Sequence, residues 1–167
     1  NPGRKYRFTR HNLGFMAIDC FASYQKLGEF REGFDGEYIK TIIRDEEVII
    51  YKPFTYMNLS GVGVIQIAMY FKIDFKDILV IYDDKDISFL SLRLREKGNP
   101  GSHKGMISVT EKLDTNDFCR IRIGIGQPDN KDEMIDFVLS KFNEEELKQL
   151  EDIFKDVNEA ILLFIED

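Results

Sequence analysis

The chain holds only two histidines, His11 and His103. Each lies in a short run of Asn, Gly and hydroxyl residues: Asn1-Pro2-Gly3 followed by Thr9-Arg10-His11-Asn12-Leu13-Gly14, and Gly98-Asn99-Pro100-Gly101-Ser102-His103-Lys104-Gly105. Such segments read as loops or helix starts, not as packed core. Histidine is the side chain best suited to exchange a proton near neutral pH, so these two are the first candidates for acid–base chemistry. A carboxylate partner stands at the end of the apolar run Ile78-Leu79-Val80-Ile81-Tyr82, in Asp83-Asp84-Lys85-Asp86. A histidine oriented by a carboxylate can act as general base on water, and amide NH2 groups can hold the oxyanion that develops. The loops 1–12, 55–60, 83–86 and 101–105 together supply histidine, carboxylate and amide, the equipment for water-driven acyl transfer.

Each piece alone also has an ordinary reading. A lone loop histidine is more often a surface or capping residue than a catalyst. Asp83-Asp84-Lys85-Asp86 suits either Mg²⁺ or a solvated turn, and no Gly-rich phosphate loop accompanies it. Two histidines with Asp83 could ligate zinc, but neither belongs to an H-E-x-x-H helix. Asn58-Leu59-Ser60 matches a glycosylation sequon, irrelevant in a cytosolic chain, and is ordinary as a helix cap. Gly124-Ile125-Gly126-Gln127-Pro128 starts like a dinucleotide fingerprint but lacks the third Gly and runs into Pro, which rejects it.

The elements that must position these groups follow from hydrophobic periodicity. Asn12 is the expected N-cap of a helix to about Gln25, with His11 just ahead of its N-terminus. Residues 38–43 and 48–51 read as a β-hairpin ending at Pro53, with Asp45-Glu46-Glu47 between its arms. A loop from Phe54 leads to a helix over 60–72. The run 78–82 predicts a strand buried on both faces, with its acids at the carboxyl end. Residues 88–95 alternate Leu90, Leu92 and Leu94 with Phe89, Ser91, Arg93 and Arg95, which predicts a strand with one buried and one basic face. A helix over 102–113, a strand over 120–125 and helices over 131–139 and 143–165 complete the chain. Strands alternating with helices imply an α/β, three-layer single domain over residues 1–167, with a mixed, mostly parallel central sheet flanked by helices. Ligands of such sheets gather beyond the carboxyl ends of the strands.

Composition sets the bounds. At 43% hydrophobic and 13% aromatic content, 167 residues suit one core. No apolar run approaches the ~20 residues of a membrane span, and the start lacks a signal-peptide pattern. Cys20 and Cys119 lie apart among apolar neighbours and read as reduced thiols of a cytoplasmic protein. A net charge of −7 argues at first against nucleic acid, but residues 129–167 carry −9 of it and residues 1–128 are at +2. The body can therefore carry basic patches: Arg4, Lys5, Arg7 and Arg10 precede His11, and Arg93, Arg95, Lys97 and Lys104 surround His103.

Taken in order, the segments resemble the bacterial-type peptidyl-tRNA hydrolases over nearly the whole chain. The matching stretches are Asn1-Pro2-Gly3 with Tyr6 and Thr9–Gly14; Lys52-Pro53-Phe54-Thr55-Tyr56-Met57-Asn58-Leu59-Ser60-Gly61; Tyr82–Asp86; Gly98–Gly105; Phe118–Pro128; and Phe137-Val138-Leu139-Ser140-Lys141-Phe142. The resemblance implies hydrolysis of the ester joining a peptide to the 3′-terminal ribose of tRNA. It implies His11 as general base, Asp83 as its orienting partner, and Asn1 and Asn58 as holders of the peptide and the reacting carbonyl, with Tyr6 and Met57 beside them. It further implies that His103 borders the substrate channel and that Arg95 and Arg122 clamp tRNA phosphate. No metal or cofactor is implied, and a monomer without obligate protein partner is expected.

The chain departs from the family at Lys104, where the family usually has Asn in Gly-His-Asn-Gly. Asn offers an acceptor and donors, Lys only donors and a charge, so Lys104 either contacts a tRNA phosphate or weakens catalysis. An Asn-Pro-Gly turn usually follows a strand, so a first strand ahead of Asn1 and a basic stretch after Asp167 are also expected. Two other function classes stay open: a non-catalytic RNA-binding relative of the same fold, and a metal-dependent hydrolase using His and Asp.

Overall fold

The computed structural model describes residues 1–167. Its elements run α1 (Leu13–Tyr24), β1 (Arg31–Gly33), β2 (Gly36–Ile43), β3 (Glu46–Pro53), α2 (Ser60–Phe71), β4 (Leu79–Asp84), β5 (Leu92–Arg95), α3 (Lys104–Leu113), β6 (Cys119–Gly124), α4 (Met134–Leu139) and α5 (Glu144–Glu166). Short 3-10 turns at Arg4–Tyr6, Arg10–Asn12 and Met57–Leu59 lead into or precede the site. No helix is long and apolar enough to cross a membrane.

The mixed α/β arrangement is present, with its six strands divided between two three-stranded sheets. One is antiparallel, β1-β2-β3. The other has β6 at its centre, parallel to β4 on one side and antiparallel to β5 on the other, so parallel pairing is confined to one of its two ladders. The hairpin turn falls at Arg44–Asp45, both at positive φ, the hand that a two-residue connection requires. Glu46 and Glu47, expected in the turn, belong instead to β3.

Helices cover both faces of the β4-β6-β5 sheet. On one, α1 buries Leu13, Met16, Ala17 and Phe21, a helical stripe, together with Leu150, Ile153, Phe154 and Val157 of α5 against Ile121 and Ile123. Ile39, Ile43 and Ile50 of the hairpin join the same core. On the opposite face, Met106, Val109 and Leu113 of α3 pack on Tyr82 and Phe118, with Val64 and Ile65 of α2 beside them. The N-terminus of α5 is closed by a capping box, Asn143 and Glu146 each accepting the other's backbone N–H.

Two glycines let these layers close. A Cβ at Gly14 would overlap the Ile81 carbonyl, and one at Gly61 the Ser108 carbonyl. Gly14 therefore seats the start of α1, and the His11 turn before it, directly on β4. The strand expected over 88–95 is present only in part: β5 spans Leu92–Arg95, Leu90 turns at φ 64°, and Leu94 stays exposed. The chain over 88–91 is closed as a turn by Ser91 N–H donating to Ser88 O. β5 is one of the two edge strands of its sheet, with β6 as its single neighbour.

Candidate active site

Asp83 and Asp84 end β4, and both are buried. Burial of a carboxylate demands partners, and Asp83 has two histidines. His103 stands at the N-cap of α3, where its Nδ1 accepts the Met106 N–H at 3.2 Å. That contact places the ring proton on Nε2, which donates to Asp83 Oδ1 at 2.9 Å. His11 comes from the 3-10 turn Arg10–Asn12, and its Nδ1 lies 2.9 Å from Asp83 Oδ2. An ionised carboxylate only accepts, so His11 Nδ1 is the donor and its Nε2 keeps the lone pair. The two rings meet edge to face with centroids 4.8 Å apart.

Burial alone would push the Asp83 carboxyl up. The charge and hydrogen bond of His103, then those of His11, outweigh this and hold it below the ordinary aspartate range. The group thus stays ionised and keeps His11 in the tautomer that exposes a basic nitrogen. Three potential ligand atoms of His11, Asp83 and His103 lie within 4.8 Å. For a cation, however, His103 would have to give up its Nε2 proton, and the only other position, Nδ1, is occupied by the Met106 N–H. The protonation pattern fits a hydrogen-bonded relay better than a ligand set.

Asn12 does not cap α1 with its side chain as expected. It is buried and paired with Asn1: its Nδ2 donates to Asn1 O and its Oδ1 accepts the Asn1 N–H, both at 2.8 Å. Asn1 Oδ1 in turn accepts the Met57 N–H at 3.0 Å, which leaves the Asn1 amide NH2 as a free donor. Asn12 thus stands at the N-cap position of α1, as expected, but spends its side chain on Asn1, a pairing that nothing in their spacing announces. Asn12→Ala is expected to release Asn1 and raise the apparent KM by roughly fivefold to tenfold, the worth of about one hydrogen bond. Steady-state kinetics below the melting transition of the variant would show it, and an unaltered KM would remove the role.

A cleft of about 590 Å³ opens on this group. Asn1, Tyr6, Met57 and Asn58 line it together with His11, Asp83 and His103, and Asn58 is exposed to it. Lys104, on the first turn of α3, and Arg122 also line it. Arg122 has its Nε on Asp84 Oδ2 at 2.6 Å, so its Nη edge remains to face the cleft. Asp84 Oδ1 accepts the Asp86 N–H, which makes the 83–86 acids a structured turn. Arg95 is not brought to the cleft: it lies exposed on β5, its guanidinium donating to the Leu94 carbonyl. Arg93 pairs in register with Arg122, and Arg95 with Arg120. Arg120 is turned inward onto the Asn116 and Phe118 carbonyls and over the Phe118 ring.

The sequence model described as peptidyl-tRNA hydrolase matches residues 1–167. The peptidyl-tRNA hydrolase of Clostridium acetobutylicum is 41% identical over 167 residues, covering 100% of this chain and 88% of the relative. That of Bacillus cereus is 44% identical over 161 residues, covering 96% of this chain and 83% of the relative. The crystal structure of peptidyl-tRNA hydrolase from Acinetobacter baumannii superposes with a TM-score of 0.92 at 30% identity, covering 99% of this chain and 85% of that one.

Proposed function

The chain belongs to the peptidyl-tRNA hydrolase family, and from this we propose that it hydrolyses the ester between a peptide and the 3′-terminal ribose of tRNA with His11 as general base. The observation that carries the assignment is the hydrogen-bonded chain from His11 through Asp83 to His103, which leaves His11 Nε2 unprotonated at the cleft. Nε2 takes a proton from water as the water oxygen attacks the ester carbonyl. Asp83 stabilises the imidazolium that forms, as the carboxylate does in other His-dependent acyl transfers. The free NH2 of Asn1 and the amide of Asn58 donate to the substrate and to the oxyanion. Collapse of the tetrahedral intermediate breaks the bond to the ribose oxygen, which takes the proton back from His11. Peptide carboxylate and tRNA leave.

Arg122, through its Nη edge, and Lys104 are the cations placed to meet tRNA phosphate at the cleft, with Arg93 and Arg95 extending the basic face along β5. We assign residues 1–167 to one catalytic domain working as a monomer, in the cytoplasm where the substrate is made, without cofactor. Light scattering across a concentration series tests the assembly state. Cleavage of an N-blocked aminoacyl-tRNA, with free aminoacyl-tRNA as control, tests the activity. Binding without release of the blocked amino acid would favour the non-catalytic RNA-binding reading.

Lys104 discriminates between its two possible effects. With the ammonium exposed at the cleft, Lys104→Asn is expected to weaken tRNA binding and to reduce the slope of log affinity against log salt by about one. A rise in kcat with an unchanged salt slope would instead mark the lysine as a burden on the chemistry.

A further inference from the structure

The short helix α4 forms one wall of the cleft through Met134, Ile135, Val138 and Leu139, yet none of its residues is buried. Ile135 is 70% exposed. Only Phe137 and Val138, both partly buried, pack against the main core, so apolar packing holds this wall from one side alone. Its remaining face meets Arg10, the residue beside His11. The Arg10 guanidinium lies over the rings of Phe137 and Phe142, 4.8 Å from each centroid. Its Nη1 donates to Lys141 O at 2.9 Å and its Nη2 to Glu146 Oε1 at 2.7 Å, and its backbone N–H donates to Ser140 O at 3.0 Å. The pair is well shielded, with 11% of the Arg10 and 22% of the Glu146 side chain exposed. Glu146 is itself fixed, since its Oε2 accepts the Asn143 N–H in the cap of α5.

We propose that Arg10 is a positioning residue that fixes the α4 wall against the turn carrying His11, so that bound peptide and base keep a set separation. Only an arginine can do this from one position, because the planar guanidinium stacks on two rings while its edge bonds a carbonyl and a carboxylate. His11 itself is held independently, by Asp83 on its ring and by the Asn1–Asn12 pair on its turn. Loosening Arg10 should thus disturb substrate binding more than the chemical step. The kinetic part of this inference rests on the hydrolase reading above.

The test compares Arg10→Lys and Arg10→Met with the wild type in peptidyl-tRNA kinetics and in amide hydrogen exchange. Arg10→Lys keeps the charge but loses the stacking and the fork, and is expected to raise KM by about tenfold with kcat within about threefold. Arg10→Met should raise KM further. Exchange of the amides of residues 135–142 should accelerate while those of β4 and β6 keep their protection. The pH profile of kcat should keep its shape, because the His11–Asp83 contact is untouched. A loss of kcat at unchanged KM, or α4 amides that exchange as in the wild type, would overturn the proposal. If Arg10→Met does not fold, Glu146→Gln decides: it can still cap Asn143 but turns an amide toward Arg10, and is expected to move KM and exchange the same way by about threefold. If the wild type cleaves no peptidyl-tRNA, the hydrolase reading fails by itself, and the exchange experiment still decides for or against Arg10.

Discussion

Replacing His11 with alanine should reduce cleavage of an N-blocked aminoacyl-tRNA by on the order of 10³-fold, near the middle of the range for loss of a positioned general base. Binding of the same substrate should survive. The cations placed for tRNA phosphate lie elsewhere, at Lys104 and Arg122, and the amide NH2 of Asn1 is set by Asn12 and Met57 without help from the imidazole. The fold should survive as well, because His11 lies outside both apolar clusters and Asp83 keeps its hydrogen bond from His103. Initial rates, filter binding and circular dichroism on the purified variant separate these effects. Near-normal cleavage would end the assignment of His11 as base, whatever the binding result.

Asp83→Asn tests the relay from its other end, and its expected effect is comparable, about 10²–10⁴-fold in kcat. The carboxylate accepts from both rings, and an amide of the same shape cannot. With Asn Oδ1 on His103 Nε2–H, the amide NH2 would face His11 Nδ1 across the present 2.9 Å contact. His11 must then accept at Nδ1 and carry its proton on Nε2, which removes the lone pair that water needs. The same variant has a signature in stability. The folded-state carboxyl of Asp83 is held below its ordinary range, so the folded protein binds this proton less tightly than the unfolded chain. Its contribution is complete above the unfolded aspartate value of about 3.9 and is lost as pH falls below it toward the folded value. Denaturant midpoints measured from neutral to acid pH should therefore fall less steeply below about pH 4 in the variant than in the wild type. Parallel curves would show that Asp83 is not held ionised by its histidines.

Much of the site can be read from the chain because its parts sit where local pattern is strong. The apolar run ending in Asp83 is a strand with its acids at the carboxyl end, and the Asn-Gly-hydroxyl segments around His11 and His103 lead into α1 and α3. The order of these segments is what resembled the family. What local pattern left out are relations between segments. His11 and His103, read as base and channel residue, share one carboxylate. Asn12, read as a cap, is the anchor of Asn1. Arg95, read as a phosphate clamp beside Arg122, lies away from the cleft that Arg122 lines. Arg10, read as one charge of a basic run and one residue of the Thr9–Gly14 stretch, has a guanidinium that ties the base's turn to residues more than a hundred positions away.

The amino-acid sequence by itself determined most of the element types, the hairpin, and which residues could exchange protons or donate amides, because these follow from periodicity and side-chain chemistry along the chain. The tertiary structure alone decided the protonation pattern and the partners. A tautomer depends on which donor or acceptor faces each ring nitrogen, and here those groups are the Met106 N–H and the Asp83 carboxylate, brought to His103 and His11 by a helix start and a strand end. Only the packing of α1, α3 and β4 against one another sets these distances, and with them the identity of the nitrogen that is left free to act as a base.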